Sequence, residues 1–470
     1  MNIYQQLQSR FDVIGKDDQR IESYSEDTMY RGTPEAEVRA RDEQEVAELM
    51  RHCHAQRIPM TFCGSQTSMT GASVADEGLI ISTERLAGIV DIDQSSVTAR
   101  SGTIIADLQR SVDEAGGFFP VAPTSKDNAR IGASVATNCT GEDSYKYGAM
   151  RAYVRRLKIL LADGTEKTFS HEPLKEDPKL RNKAGYFLGW KNPIDLIVGS
   201  EGTLAFVTEV TLDLLPKVPG FFAALAPFSS NHKALQFIVE IASQNKLQAR
   251  ALELVDTAAL DIMRTQASFP KLAEDVKALV YFKQEFQTEP EAEMWLEKWH
   301  EKLAQAEPDL TEHILIAQTH KEQESFRLWR HHIPQTLNER ARKFWSNGGA
   351  KVGSDWWVPI PRLIEMMKYF YELADAAKLP YMAYAHLGSG HPHTNMLASN
   401  AAELKVANEM LLKCCQKAVS LGGGVAGEHG IGKIHRNYLQ IQHSAKAIAQ
   451  MKQWKAEYDP DYLLGRGNIF

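Results

Sequence analysis

The chain has 470 residues with 53 basic and 60 acidic side chains, a formal net charge of −7, and 43% hydrophobic residues. This is ordinary globular composition, so it excludes disordered and collagen-like chains, and the length predicts two or three domains. A mildly acidic chain is a poor match for nucleic acid, whose phosphates attract basic surfaces. No apolar run approaches the roughly 18 residues that a membrane span needs.

Cysteine usage and the N-terminus indicate the compartment. The chain has five cysteines and no Cys-x-x-Cys pair, which favours a reducing environment over a disulfide framework or a zinc clip. The first residues lack the apolar core of a secretory signal. We therefore expect a cytoplasmic protein, with peripheral attachment to a membrane through a partner as the alternative.

The N-terminal half alternates helical patterns with short β-type runs. Residues 44–54 have helical spacing, a strand is predicted at 58–63, and a second helix over 104–116 ends at a Gly-Gly pair. Further β-type runs precede a Lys-Val-Pro-Gly stretch at 217–220. These patterns predict an α+β domain over residues 1–216 with its core at 38–216.

Three loops of small polar residues lie in this half, each beside a β-type run. They cover residues 64–73, 120–141 and 199–204. Small residues let the backbone approach a ligand, and their N–H and hydroxyl groups can bind a pyrophosphate, although a single loop of this kind is as often a plain surface turn. Three together predict one large phosphate-bearing cofactor. The candidate binding residues are Gly64, Ser65, Gln66, Thr67, Ser68, Thr70, Gly71, Pro123, Thr124, Ser125, Gly132, Asn138, Gly141, Glu201 and Gly202.

Residues 422–427 match the Gly-x-Gly-x-x-Gly pattern of dinucleotide-binding loops. The pattern needs a strand before it, whereas these residues follow a helical segment. We therefore interpret them as the end of a helix and reject a Rossmann domain.

The C-terminal half predicts a second α+β domain over residues 217–455. Helical patterns at 231–244, 289–305 and 361–377 alternate with strand-like runs. Residues 456–470 are too few for a domain, so we expect them to pack back on an earlier part of the chain.

Histidines and one glutamate in this half have the spacing of a metal site. A hairpin centred on residues 388–390 would place His386 opposite His393, with Cβ atoms about 4.5–5.5 Å apart. Glu428, between glycines further on, could complete a His/His/Glu site with an open position, which is typical of catalytic metals. The alternative is that these histidines are packing or surface groups.

The glycine-rich segments resemble those of the FAD-linked oxidases, the family of vanillyl-alcohol oxidase and p-cresol methylhydroxylase. The resemblance rests on 64–71, on 131–141, on Tyr147-Gly148 and on 199–205, in the family's order. It implies a two-subdomain FAD-binding domain, a substrate (cap) domain and FAD contacts at Tyr147 and at Asn468 of the C-terminal tail. Loop 64–71 contains no His or Cys, so a covalent flavin link from that loop is excluded.

Segments 386–395 and 428–432 resemble the flavin- and metal-dependent D-2-hydroxyacid dehydrogenases within that family. The resemblance implies His386, His393 and Glu428 as metal ligands, His429 as general base, Asn395 as a substrate contact, and Arg330 as the cation that binds the substrate carboxylate. Lys351 is a second candidate cation. Ser389 and His391 replace the family's Asp and Asn. The ligand types suit zinc best, with manganese or iron as alternatives.

The expected reaction is oxidation of a D-2-hydroxy acid to the 2-oxo acid. The expected acceptor is a quinone, an electron-transferring flavoprotein or a partner subunit, because no NAD site or iron–sulfur motif is present in the sequence. The sequence does not fix the oligomeric state, and a homodimer is one candidate assembly. The alternatives are a metal-free flavin oxidase, a transferase like alkyl-dihydroxyacetone-phosphate synthase, or a non-catalytic flavoprotein subunit. The sequence does not distinguish lactate, glycolate and 2-hydroxyglutarate.

Overall fold

The computed structural model describes residues 2–173, 181–244 and 246–470. The strands are β1 (Val13–Gly15), β2 (Ala36–Arg39), β3 (Met60–Cys63), β4 (Leu79–Ser82), β5 (Ile89–Ile92), β6 (Ser96–Arg100), β7 (Gly117–Phe118), β8 (Val154–Leu160), β9 (Glu166–Ser170), β10 (Phe206–Asp213), β11 (Leu215–Pro216), β12 (Gly220–Phe228), β13 (Ala251–Val255), β14 (Ala278–Phe286), β15 (Leu315–Ala317), β16 (Ala350–Gly353), β17 (Tyr381–Ala385) and β18 (His393–Ala398). The helices are α1 (Ile3–Leu7), α2 (Glu43–Ala55), α3 (Ile105–Glu114), α4 (Ile131–Ala136), α5 (Ser144–Tyr147), α6 (Pro193–Ile197), α7 (Asn231–Gln244), α8 (Thr257–Met263), α9 (Glu289–Ala306), α10 (His320–Arg342), α11 (Leu363–Ala377), α12 (Ala401–Ser420), α13 (Leu439–Gln442) and α14 (Ala445–Tyr458). The predicted α+β class is confirmed.

The chain forms two compact units. The first contains Met1–Gly141, Gly148–Lys217 and Ala426–Phe470, and the second contains Glu142–Tyr147 and Val218–Val425. These bounds differ from the predicted domains in three places. The first unit extends by one residue to Lys217, residues 142–147 leave it, and the chain returns to it at 426 rather than at 456. Glu428 and His429 therefore belong to the first unit.

The first unit contains two main sheets. One has the order β1-β2-β4-β3, with β2 and β3 each parallel to β4. Helix α2 connects β2 to β3, and its buried face includes Val46, Leu49 and Met50, the positions that gave the helical pattern. The other sheet is antiparallel, with the order β5-β6-β10-β8-β9. Leu463 and Leu464 are buried in the same core as the first sheet, so the C-terminal segment completes it.

The second unit is built on a seven-stranded sheet with the order β15-β12-β14-β13-β17-β18-β16. Opposed residues of neighbouring strands share a face, so the register places Tyr281, Glu253, His393, Asn395 and Lys351 on one face of it. The apolar sides of α8 and α10 pack into the core on this face. The candidate polar residues thus lie between the sheet and α10.

Helix α10 is 23 residues long and was not predicted at this length. Its sequence is rich in charged residues and contains Pro334, which removes a backbone hydrogen bond in a helix interior. A capping box formed by Thr319 and Glu322 fixes its start. Burial of Trp329, Ile333 and Leu337 stabilises the helix against the sheet.

Among the described residues, no helix is both long enough and apolar enough to cross a lipid bilayer. All five cysteines have free thiols.

Candidate functional site

The predicted hairpin of histidines is present with a different register. Strands β17 and β18 pair, and His393 lies opposite Tyr384, not opposite His386. A short 3-10 turn at Leu387–Ser389 and a left-handed Gly390 follow His386. The turn still brings the imidazoles together, because the ring centroids of His386 and His393 are 5.5 Å apart.

Glu253 orients the imidazole of His386. Nδ1 of His386 lies 2.9 Å from the Oε1 atom of Glu253, a residue of β13 that is buried. An imidazole held at Nδ1 by a carboxylate has its Nε2 lone pair available for a metal. Burial alone would raise the pKa of Glu253, but Arg330 and His386 hold it below its usual value, so the carboxylate stays ionised.

A third imidazole belongs to the same cluster. The ring centroid of His391 is 4.9 Å from that of His393 and 6.3 Å from that of His386. Nε2 of His391 lies 3.0 Å from Oδ1 of Asp355, which is also buried. This chain therefore has two carboxylate–imidazole pairs here, His386 with Glu253 and His391 with Asp355.

Arg330 has two acidic partners within the second unit. Its guanidinium pairs with Glu253 and lies 3.1 Å from Oε1 of Glu142, and it stacks over the ring of Tyr281 with Cζ 4.1 Å from the centroid. These partners were not predicted. They fix the position of the guanidinium and compensate its charge.

Lys351 and Asn395 lie on the same face of the sheet as His393. Nζ of Lys351 donates to Oδ1 of Asn338 at 2.6 Å, and burial lowers the pKa of this ammonium. Nδ2 of Asn395 donates to the His393 carbonyl at 3.2 Å. Lys351 thus has a neutral hydrogen-bond partner where Arg330 has two carboxylates.

In the first unit, the three predicted cofactor loops contact one another. An added Cβ at Gly64 would lie 3.0 Å from Cβ of Ala133, and the Glu201 N–H donates to the Ala136 carbonyl at 2.8 Å. An added Cβ at Gly141 would overlap the Ala122 carbonyl. Close packing therefore disfavours a side chain at Gly64, where two loops meet, and at Gly141, where loop 120–141 packs on itself.

The same loops provide polar groups that suit an anionic cofactor. Within the described parts of the chain, the backbone N–H groups of Ser65, Thr67 and Ser68 donate to no protein acceptor. The hydroxyls of Ser200, in loop 199–204, and of Ser101, which packs against Gly132, are buried, and neither has a hydrogen-bond partner among the residues that the structure describes. Phosphate and ribityl oxygens of FAD would satisfy such donors, so these residues fit the cofactor.

Glu201 has a structural role in this unit. Its carboxylate accepts the N–H groups of Ile431 at 2.7 Å and Gly432 at 2.6 Å. An added Cβ at Gly430 would overlap this carboxylate, which explains the glycine. Glu201 therefore fixes the segment that follows Glu428 and His429, and its predicted flavin contact stays a prediction.

Asn468 joins several parts of the same unit. Its amide donates to the carbonyls of Ala72 at 2.8 Å and Glu201 at 3.1 Å, and Oδ1 accepts from Nζ of Lys433 at 2.9 Å. Burial lowers the pKa of Lys433 to about 8. The tail thus connects two of the predicted cofactor loops.

The remaining predicted residues have the following positions. Gln66 has a left-handed backbone and its side chain donates to the Glu26 carbonyl, Gly71 donates to Asp27, and Gly132 lies against Ser101. Pro123, Thr124 and Ser125 begin a turn in which Thr124 is exposed. The Thr70 carbonyl accepts from the Lys433 N–H, Oδ1 of Asn138 accepts from the Arg151 N–H, and Gly202 has a positive φ.

Tyr147 belongs to the second unit, where its hydroxyl donates to Glu285. Glu428 and His429 are half-buried, and the Glu428 carbonyl accepts from Lys183.

Sequence reasoning missed Glu253, Asp355 and Glu142. Glu253 and Asp355 are single acidic residues in their segments, Glu142 is followed by Asp143, and the partners of all three are distant in sequence. The usable signal was an acidic residue inside the strand pattern ALELV at 251–255, because a charge in a buried strand needs a partner.

Comparisons with known proteins agree with this description. Residues 222–469, more than half of the chain, match the C-terminal domain of FAD linked oxidases, and residues 34–170 match an FAD binding domain. The chain is 28% identical to glycolate oxidase subunit GlcD of Bacillus subtilis, over 96% of this chain and 92% of that protein. It is 28% identical to a D-lactate dehydrogenase of Archaeoglobus fulgidus, covering 92% and 90%, and 25% identical to a D-2-hydroxyglutarate dehydrogenase of Stutzerimonas stutzeri, covering 93% and 91%.

Solved structures with the same fold include an alkyldihydroxyacetonephosphate synthase, with a TM-score of 0.70 at 14% identity, covering 98% of this chain and 83% of that one. A 4-ethylphenol oxidase from Gulosibacter chungangensis has a TM-score of 0.70 at 13% identity, covering 99% and 95%. These identities establish the fold alone. Together with the matched domains, they show that the chain belongs to the FAD-linked oxidases and is an oxidoreductase of the FAD-binding p-cresol methylhydroxylase type.

Proposed function

We propose that the chain oxidises a D-2-hydroxy acid to the 2-oxo acid, using FAD and a divalent metal, and passes the electrons to an acceptor other than NAD. The observation that carries the proposal is the His386–Glu253 pair beside the imidazole of His393, because a carboxylate-held imidazole is typical of metal ligands. Glycolate, D-lactate and D-2-hydroxyglutarate, which appear in the names of the relatives, are all 2-hydroxy acids.

His386, His393 and Glu428 are the residues that would hold the metal. The part played by Glu428, which lies in the first unit, remains a prediction from the sequence. Two imidazoles and one carboxylate suit zinc, with manganese or iron as alternatives. When bound, the metal supplies a Lewis acid that lowers the pKa of the substrate hydroxyl, and FAD supplies the acceptor for the hydride.

The other residues would bind the substrate and accept its proton. His429 would take the hydroxyl proton on an imidazole nitrogen as general base, and Asn395 would contact the substrate. Arg330 and Lys351 would bind carboxylate groups. Because Arg330 is compensated by Glu142 and Glu253, we propose that Lys351, whose hydrogen-bond partner is neutral, supplies the uncompensated positive charge.

The acceptor that reoxidises the flavin would be a quinone, an electron-transferring flavoprotein or a partner subunit. The Gly-rich residues 422–427 follow helix α12, and Gly424 forms a bridge with Trp357, so they lack the preceding strand of a dinucleotide loop. A homodimer remains a prediction.

The deciding experiment is anaerobic reduction of the bound FAD by a panel of D- and L-2-hydroxy acids. We expect bleaching of the flavin absorbance by at least one D-2-hydroxy acid and slower or no bleaching by its L-enantiomer. A flavin that no member of the panel reduces would refute the proposed reaction and favour a non-catalytic flavoprotein.

The metal is tested separately by elemental analysis and chelation. We expect about one equivalent of zinc, manganese or iron, and loss of flavin reduction after chelation that the same metal restores. His393→Ala should lose the metal, whereas His300→Ala, an exposed histidine of α9, should keep it. Metal-free protein with full activity would favour the metal-free oxidase, and peroxide formation in air would support that alternative.

A further inference from the structure

Residues 142–147 interrupt the first unit. They belong to the second unit, whereas residues up to Gly141 and from Gly148 onward belong to the first. The sequence predicts flavin contacts at Asn138 and Gly141, directly before this segment, and at Tyr147 inside it. A chain segment predicted to touch FAD is therefore continuous with a segment held by the second unit.

Glu142 contacts three polar side chains of the second unit. Its carboxylate accepts the Tyr281 hydroxyl at 2.6 Å and lies 2.8 Å from Nζ of Lys283 and 3.1 Å from the guanidinium of Arg330. Burial alone would raise the pKa of Glu142, but Arg330 and Lys283 hold it well below its usual value. The residue is thus a half-buried, ionised anion with three partners.

The rest of the segment is attached to the same sheet. Asp143 lies 2.5 Å from the guanidinium of Arg250 and 3.2 Å from Nζ of Lys283. Lys146 pairs with Glu285, and the Tyr147 hydroxyl donates to Glu285 at 2.5 Å.

The segment also contacts the turn that carries His386. An added Cβ at Gly388 would lie 2.9 Å from Cδ2 of Tyr145, so the aromatic ring packs directly on this turn. Arg330 pairs with both Glu142 and Glu253, and Glu253 in turn contacts His386. Two independent contacts therefore connect residues 142–147 with the candidate metal and substrate residues.

We propose that Glu142 is a positioning residue that couples FAD binding to the substrate-binding arginine. Its ion pair with Arg330 fixes the guanidinium and holds the neighbouring residues 138–141 in the conformation that binds FAD. The binding of substrate by Arg330 rests on the proposed function. The effect on FAD affinity needs only that the chain binds FAD, as its family does. Loss of the pair should weaken FAD binding even though neither side chain is predicted to contact the flavin.

The test is a double-mutant cycle on FAD affinity, which needs no substrate. Glu142→Gln removes the negative charge, and Arg330→Lys removes the planar fork that binds two carboxylates at once. FAD release from the diluted holoenzyme, followed by flavin fluorescence, gives the affinity of each variant. We expect about a tenfold loss of affinity in each single variant and no further loss in the double variant, since groups acting as a pair are not additive.

Controls separate positioning from general destabilisation. Glu142→Asp keeps the charge and should recover most of the affinity. Lys233→Met breaks an ion pair with Glu307 elsewhere in the second unit and should leave FAD affinity unchanged. Where a hydroxy-acid substrate is known, Glu142→Gln should raise its KM with a smaller change in kcat.

Three results would overturn the inference. The first is FAD affinity of Glu142→Gln within twofold of the unmodified protein. The second is additive losses in the double-mutant cycle, and the third is an equal loss of FAD affinity in Lys233→Met. If no hydroxy acid reduces the flavin, the proposed function fails, while the FAD cycle still decides whether Glu142 positions the flavin-binding segment.

Discussion

Substitution of Glu253 by Gln tests how the candidate metal site is built. Glu253 is buried and binds both His386 and Arg330. Gln keeps the shape and one carbonyl oxygen for His386, but it loses the charge. Hydrogen bonds to charged groups contribute about 1.5–3 kcal/mol against about 0.5–1.5 kcal/mol for neutral ones. The difference of about 1–2 kcal/mol predicts a metal Kd that rises roughly 5- to 30-fold.

Competition with a fluorescent chelator measures the metal affinity of the unmodified protein and of Glu253→Gln. Neutral pH is used because the Glu253 carboxylate stabilises the folded protein at pH values above its unfolded pKa of about 4.3. This contribution is lost as the pH falls through the lower pKa of Glu253 in the folded state. Glu307→Gln is the matched control, because Glu307 is a buried carboxylate of the same unit that binds Lys233 and Ser229. An unchanged metal affinity in Glu253→Gln, or an equal loss in the control, would refute the proposed orientation of His386.

Three further predictions concern the base, the first unit and the second cation. His429→Ala should slow anaerobic flavin reduction about 10²- to 10⁴-fold while FAD remains bound, and an unchanged single-turnover rate would contradict its role as base. Glu201→Gln removes one of the two carboxylate oxygens that accept the N–H groups of Ile431 and Gly432. It should lower the free energy of unfolding of the holoprotein by about 1–3 kcal/mol in a denaturant titration. Glu77→Gln, at an exposed position, is the control and should change this free energy by about zero. Lys351→Met should raise KM for an anionic substrate. Because burial lowers the pKa of Lys351, the unmodified protein should lose substrate affinity as the pH rises through that pKa. If Lys351→Met shows the same loss of affinity at alkaline pH, Lys351 does not have this role.

Much of the fold was predictable because local patterns agree with burial. The apolar positions of α2, α3, α7, α9 and α11 repeat at helical spacing, and each of these helices is present within a few residues of its predicted bounds. Helix α10 was missed because its polar sequence and Pro334 oppose a helix locally, and tertiary packing of Trp329 and Leu337 overrides them.

The candidate site was predictable in its ligand types but not in its supporting contacts. The glycine-flanked histidines identified His386 and His393, yet the register slipped by two residues because the connection contains a 3-10 turn rather than a two-residue hairpin loop. Glu253 and Glu142 could not be assigned, since their partners are 77 and 188 residues away along the chain at Arg330 and no local pattern encodes such pairing. For the same reason, the sequence did not indicate that residues 142–147 join the second compact unit.

The return of the chain to its first unit has a consequence for the order of folding during synthesis. The N–H group of Met60 donates to the Leu463 carbonyl, and the Gly465 N–H donates to the Met60 carbonyl, so strand β3 gains this neighbour only after residues 463–465 have been synthesised. Leu463 and Leu464 then complete the core around α2. The first unit therefore needs residues that follow 425, whereas the second unit, made of 142–147 and 218–425, has all of its residues once 425 has been synthesised.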